Sequence, residues 1–192
     1  MAIADVRDIG DRSREATVTA ATLGSAYAEK RERDKVEKEK VVELGPRVML
    51  DQERCILCTR CIRFCDEITK TSELCLSQRG DQARIESFPG RPLENPYSVC
   101  TTDVCPVGAL TSRDFRFQER VWFLAGEDST CTGCSRGCSV SLQFHKNVTF
   151  DELNRNVFRL LPRYNPRVND WWMCDEGRLS FKRCNESRAL VP

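Results

Sequence analysis

The chain has 192 residues, enough for one domain or two small ones, and its 30 Lys and Arg against 29 Asp and Glu leave a net charge of +1. That balance excludes a bulk electrostatic pull on nucleic acid or on an anionic membrane surface. No apolar run approaches the length of a membrane-spanning helix, and Met1 to Gly10 lacks the apolar core of a secretion signal.

In chain order, residues 1–50 contain no cysteine. Ser13 to Tyr27 is rich in alanine, threonine and short side chains and predicts a helix, with Ser13 as its N-cap. From Glu29 to Lys40 every residue except Val36 is charged. Glu29 with Arg33 and Asp34 with Lys38 stand at i,i+4, which predicts an exposed, solvated helix ended by Gly45-Pro46.

The most informative stretch comes next. Cys55, Cys58 and Cys61 are each separated by two residues, a spacing that aims three thiolates at one face of a small inorganic cube. Cys105, followed by Pro106, is the candidate fourth ligand. This three-plus-one arrangement is a pattern for [4Fe–4S] ligation. Zinc is the rival, but structural zinc usually takes two separate two-cysteine knuckles or adds histidine. The chain has one histidine, His145, far from the loop.

After this loop, Ile62 to Thr69 predicts a short helix carrying Cys65. Leu74 to Ser77 and Ala83 to Phe88 predict strands joined at Arg79-Gly80-Asp81. A turn-rich loop, Pro89 to Pro96, brings the chain back to Cys105, and the segment from Cys105 predicts a helix ending near Phe115. A second set begins at Cys131, with Cys134 and Cys138 spaced by two and then three residues. Gly133 and Gly137 allow close backbone approach to a cluster. Val140, Leu142 and Phe144 alternate as a strand, Val157 to Leu161 is its expected partner, and Cys174 supplies the fourth thiolate. Two independent three-plus-one sets imply two [4Fe–4S] clusters.

Twelve cysteines without a secretion signal point to ligation rather than disulfides, and to a reducing cytoplasm. Cys65, Cys75, Cys100 and Cys184 fall outside both sets and are expected as ordinary thiols, Cys65 being the first substitute ligand. His145 is expected at a hairpin tip facing solvent, and Trp171 and Trp172 are expected to shield the second cluster or pack its domain. Cys–His nucleophilic catalysis is not expected, because no cysteine lies within several residues of His145. Arg54, Arg60 and Arg63 near the first set, and Arg136 and Arg178 near the second, are expected to favour a more negative, reduced state.

The chain resembles the G-type iron–sulfur subunits of bacterial NADH–quinone oxidoreductase, respiratory complex I. The matching words are LGPRV (44–48), RCILCTRCIRFC (54–65), DVCPVGALTSRDFRF (103–117), VWFL (121–124), CTGCSRGC (131–138) and NDWWMCDEGR (169–178). The resemblance implies one on-path cluster on Cys55, Cys58, Cys61 and Cys105. It implies another, off the main electron path, on Cys131, Cys134, Cys138 and Cys174. The implied fold is α+β: a helical arm over 1–50, a ferredoxin-like domain over 51–126, and over 127–192 a domain similar to the opening of molybdopterin oxidoreductases.

The departures from the family are also informative. Members begin with a [2Fe–2S] domain and then hold a cluster on one histidine and three cysteines. Arg7, Gly10 and Ala16 stand where those three cysteines would fall, with Asp11 and Glu15 still matching neighbours, so that site is expected to be decayed. At Pro192, members continue into a large molybdopterin-fold body. The expected role is a non-catalytic electron-transfer subunit of a larger oxidoreductase. Its expected partners are flavin- or NADH-side and quinone- or substrate-side subunits, with no nucleic acid and with the membrane met only through the complex. Trp122, Phe123, Trp171 and Trp172 are the expected partner surface. The alternatives are a zinc-stapled interaction protein and an electron-entry subunit of a molybdopterin or hydrogenase-type enzyme.

Overall fold

The computed structural model describes residues 36–146 and 157–186. The chain divides into two compact units, Met1–Glu37 and Lys38–Pro192. The first unit is described only at its last two residues, so the helix predicted over 13–27 and the decayed site at Arg7, Gly10 and Ala16 lie outside the described residues. The helix predicted over 29–40 can be followed only from Val36, and there the chain is not helical. Lys38 Nζ donates to the Ala83 carbonyl at 2.9 Å, the Glu39 carbonyl accepts from Gln52 N–H at 3.1 Å, and Lys40 pairs with Glu53 at 2.9 Å. Side-chain pairs at i,i+4 are worth only about 0.2–0.5 kcal/mol each, and here these long-range ties outweigh them.

Strands β1 (Val42–Glu43), β2 (Val48–Leu50) and β5 (Leu110–Ser112) form an antiparallel sheet in the order β1-β2-β5. Gly45 lies in the β1–β2 connection because a Cβ there would meet the Leu93 carbonyl oxygen at 2.2 Å. Residues 42–50, assigned to the arm by sequence, thus belong to the core that surrounds the first cysteine set. Strands β3 (Leu74–Ser77) and β4 (Arg84–Ser87) form a hairpin across a 3-10 turn, Gly80–Gln82, much as the sequence predicts. Helix α1 (Arg60–Arg63) runs into a π-helical turn, Phe64–Ile68, which buries Phe64 and Cys65.

The helix predicted after Cys105 is instead before it: α2 spans Cys100–Val104, and the chain then extends into β5. Pro106 explains the stop, since a residue preceding proline is pushed out of the helical region, and Cys105 has φ −73 and ψ 112. Leu50, Leu74, Ile85, Val99 and Leu110 fill the core between these elements.

Strands β6 (Leu124–Thr130), β7 (Ser139–His145) and β8 (Val157–Pro162) form a second antiparallel sheet, in the order β6-β7-β8. β7 falls where the alternation places it and β8 where its partner is expected, whereas β6 was not expected. Val140, Val157, Leu160 and Met173 make a second small core. Helices α3 (Asp175–Leu179) and α4 (Phe181–Glu186) follow. Among the described residues no helix is long and apolar enough to cross a membrane.

Candidate metal centres

The first cysteine loop starts from an Asx turn, in which Asp51 Oδ1 accepts from the Glu53 and Arg54 N–H groups at 3.1 and 3.3 Å. Asp51 N–H is itself bonded to the Ala109 carbonyl at 2.9 Å, so the loop springs from the sheet edge next to the Cys105 segment. Within the loop, Leu57 (φ 55) and Thr59 (φ 58) are left-handed. Each such non-glycine residue costs about 1–3 kcal/mol, a strain that persists only where the surroundings over-determine the backbone. Alternating these turns with the cysteines wraps the chain around one point.

Cys55, Cys58, Cys61 and Cys105 line a single apolar cavity with Leu50, Ile85, Ala109 and Leu110. Burial pushes the Cys55 thiol up, the Leu57 N–H opposes this, and nearby Cys105 and Cys58 add to the rise. Burial pushes Cys61 up to about 11, against the Ile62 N–H and with help from Cys55 and Cys105. Among the expected arginines, Arg60 borders the cavity, while Arg54 is exposed and pairs with Asp51 at 3.3 Å.

The second set is the tip of a hairpin. β6 and β7 pair from Leu124↔His145 to Thr130↔Ser139, and the loop that joins them carries Cys131, Cys134 and Cys138. The Cys131 N–H closes it on the Cys138 carbonyl at 2.8 Å, with Gly137 at φ 62. Burial raises the Cys138 thiol, Arg136 opposes this, and Cys131, Cys174 and Cys134 each add to it, so all four thiols share one neighbourhood. Gly133 N–H points at Cys131 Sγ at 3.5 Å and Gly177 N–H at Cys174 Sγ at 3.4 Å, and such N–H dipoles favour thiolates.

Gly177 is the residue that sequence reasoning missed here. A Cβ on it would meet Cys131 Sγ at 3.1 Å, Met173 Cε at 3.1 Å and Cys174 Sγ at 3.3 Å, closer than anything near Gly133. Its signal was a glycine three residues after Cys174. Asp175 was also missed. Its carboxylate, 1% exposed, accepts from Ser98 Oγ at 2.6 Å, Val99 N–H at 3.0 Å and Arg47 Nη1 at 3.0 Å.

The donor chemistry of both sets suits an iron–sulfur cluster: four thiols line one apolar cavity at the first, and glycines leave room between sulfurs at the second. Among the described residues no group of three or more His, Cys, Asp or Glu is gathered tightly enough for a single metal ion.

The remaining cysteines separate from both sets. Cys65 is fully buried, and burial together with Glu73 pushes its thiol up to about 12. Cys100 is fully buried and donates to the Met173 carbonyl at 3.2 Å. Cys75 is half-buried on β3; the Cys184 side chain lies outside the described residues. His145 is not solvent-facing: it stacks on Phe123 with ring centroids 6.1 Å apart, and its side chain is 20% exposed. Arg178 is 5% exposed and pairs with Asp103 of α2. Burial works against its charge, but Asp103 and Cys100 outweigh that and hold the guanidinium protonated. Trp172 packs on Phe64 of the first core at 4.9 Å, whereas Trp171 is exposed and stacks on Tyr164 at 4.4 Å.

Comparison with known proteins finds likenesses over most of the chain. The family described as NADH-quinone oxidoreductase subunit 3, ferredoxin-like domain, matches residues 45–111, a span that contains Cys55, Cys58, Cys61 and Cys105. The G-type subunit of the Streptomyces coelicolor NADH-quinone oxidoreductase is 36% identical over 153 residues, 80% of this chain and 17% of that protein. Subunit 3 of the Thermus thermophilus enzyme is 34% identical over 78% of this chain and 18% of its own length. The mitochondrial NADH-ubiquinone oxidoreductase 78 kDa subunit of Neurospora crassa is 33% identical over 78% and 19% respectively. The chain spans less than a quarter of the length of each of these relatives.

Proposed function

We propose that this relative of the G-type subunits of NADH-quinone oxidoreductase is an electron-transfer subunit of a larger oxidoreductase, holding two [4Fe–4S] clusters. One is held by Cys55, Cys58, Cys61 and Cys105, the other by Cys131, Cys134, Cys138 and Cys174. The observation that carries the reading is the single apolar cavity lined by all four cysteines of the first set, inside the span matched by the ferredoxin-like family. When bound, a cubane cluster exchanges one electron at a time at a potential set by charge, hydrogen bonds to sulfur and burial.

The chain's own residues supply the rest. The strained Cys55–Cys61 loop fixes three thiolates, and Pro106 turns the chain so that Cys105 faces them. Leu50, Ile85 and Leu110 keep water from the first site. The Gly133 and Gly177 N–H groups stabilise negative charge on sulfur at the second. In this reading the electron donor and acceptor are supplied by the other subunits of the complex. Phe117, Trp122, Phe123 and Trp171 are 88%, 60%, 47% and 60% exposed and form the proposed contact surfaces, with Trp172 removed from that set by its packing. A soluble-arm position, reaching the membrane only through the complex, follows from this role.

A reductive titration of the anaerobically purified chain tests the proposal. It should take up one electron per cluster, with reversible bleaching of the broad visible absorbance. A chain with no reversible bleaching refutes it.

A further inference from the structure

We infer that one buried joint positions the remote ligands of both sites, with Asp175 and Arg178 as its positioning residues. The inference rests on the two-cluster reading and concerns how the two sites are assembled.

Three thiols of each set come from one short loop, but the fourth arrives from a distance. Cys105 is the residue after α2, and Cys174 is the N-cap of α3. Both flanks of Cys174 are bonded to the turn and helix that deliver Cys105. Before it, the Met173 carbonyl accepts from Cys100 Sγ at 3.2 Å. After it, the Asp175 carboxylate takes the Ser98 hydroxyl and the Val99 N–H at the head of α2. The Asp175 N–H is held by the Pro96 carbonyl at 2.7 Å. One helical turn on, Arg178 grips both carboxylate oxygens of Asp103, two residues before Cys105, and reaches Cys100 Sγ at 3.7 Å.

One charge of each pair is buried, while its partner, Arg47 or Asp103, keeps 36% or 35% of its side chain exposed. Asp175 is 1% exposed and meets Arg47 Nη1 at 3.0 Å, while Arg178 is 5% exposed against Asp103. Removing Arg47 or Asp103 strands a buried charge, and removing Asp175 or Arg178 breaks the bonds they make to α2, so each pair depends on both of its members. The hairpin thiols Cys131, Cys134 and Cys138 stand on a different sheet, and Cys174 is held opposite them by bonds to the first core. Conversely, α2 is headed by a carboxylate from the second site. The segments that carry the two remote ligands are thus held by the same bonds, whether or not either cluster is bound.

The test uses the full chain, purified anaerobically, in four forms: wild type, Asp175→Asn, Arg178→Lys, and Cys134→Ala as a lesion outside the joint. Electron paramagnetic resonance of the reduced protein gives the occupancy and line shape of each cluster. Hydrogen exchange reports on segments 98–105 and 172–178, with the β3–β4 hairpin as a fold control. The joint variants should lower both cluster signals together, by about tenfold, the low end for outer-shell partners of a metal site. The residual signals should have altered line shapes, and both segments should exchange faster while β3–β4 stays protected. Cys134→Ala should remove the second signal and leave the first line shape unchanged. If Asp175→Asn unfolds, Arg178→Lys, which keeps the charge but loses the two-pronged grip on Asp103, carries the test. Loss of the second signal alone in the joint variants, with the first at wild-type occupancy and 98–105 exchange unchanged, overturns the inference. A wild-type chain without two cubane signals overturns the two-cluster reading instead, and the exchange data then decide the joint by themselves.

Discussion

Replacing Gly177 by alanine sets two known effects against each other. Gly177 lies inside α3, where alanine is the better helix former by about 1 kcal/mol. Its added methyl would stand 3.1 Å from Cys131 Sγ, 3.1 Å from Met173 Cε and 3.3 Å from Cys174 Sγ. Each neighbour must give by a few tenths of an ångström, and overpacking of this kind costs about 1–3 kcal/mol. The net expectation is a loss of about 1 kcal/mol, or about 2–4 °C in Tm for a chain of this size. The effect on the second site should be larger than that on the fold, because two of the three atoms displaced are candidate ligands. Calorimetry gives the first quantity, and the second cluster's paramagnetic signal the second. Gly177→Ala should deplete that signal while leaving the first intact. A variant that gains stability and keeps both signals would refute the argument that Gly177 is there to clear space between sulfurs.

Other substitutions probe the remaining elements. Cys58→Ala should abolish the first cluster's signal and destabilise the fold around it, since ligation contributes folding free energy; an unchanged iron content would contradict the assignment. Gly45→Ala places a Cβ 2.2 Å from the Leu93 carbonyl oxygen, which is backbone and cannot swing away. It should cost about 3 kcal/mol or more in urea denaturation. Burial and Glu73 raise the Cys65 thiol from 9.0 to about 12, so its protonated form is favoured in the folded state. The stability it contributes is therefore full below the ordinary thiol value and declines as pH rises from 9.0 toward about 12. Denaturation midpoints should be lower at about pH 10.5 than at about pH 8, and Cys65→Ala should shrink that difference.

The cysteine sets could be proposed from the sequence because the spacing a cube would impose does not depend on what lies between the cysteines. β7 and β8 were legible for a similar reason: Val140, Val157 and Leu160 carry the core and mark their strands. β6 was not, because only Leu124 is buried and Ala125 half-buried, while Gly126 to Thr130 are exposed, so no alternation marks it. α2 was missed because Cys-Thr-Thr-Asp-Val has little helix propensity. It forms where Asp175, far along the chain, takes the donors at its head. The same blindness to distant bonds places a sequence boundary between residues 126 and 127, within the run of β6. The charged run before Val41 misled for the opposite reason: its local pairs suggest a helix, and bonds to Ala83 and Gln52 hold its end extended.

The most direct measurement is a joint count of iron, acid-labile sulfide and zinc in the anaerobically purified full chain. Two cubanes require about eight irons and about eight sulfides per chain, with zinc absent. Stoichiometric zinc without labile sulfide would contradict the account.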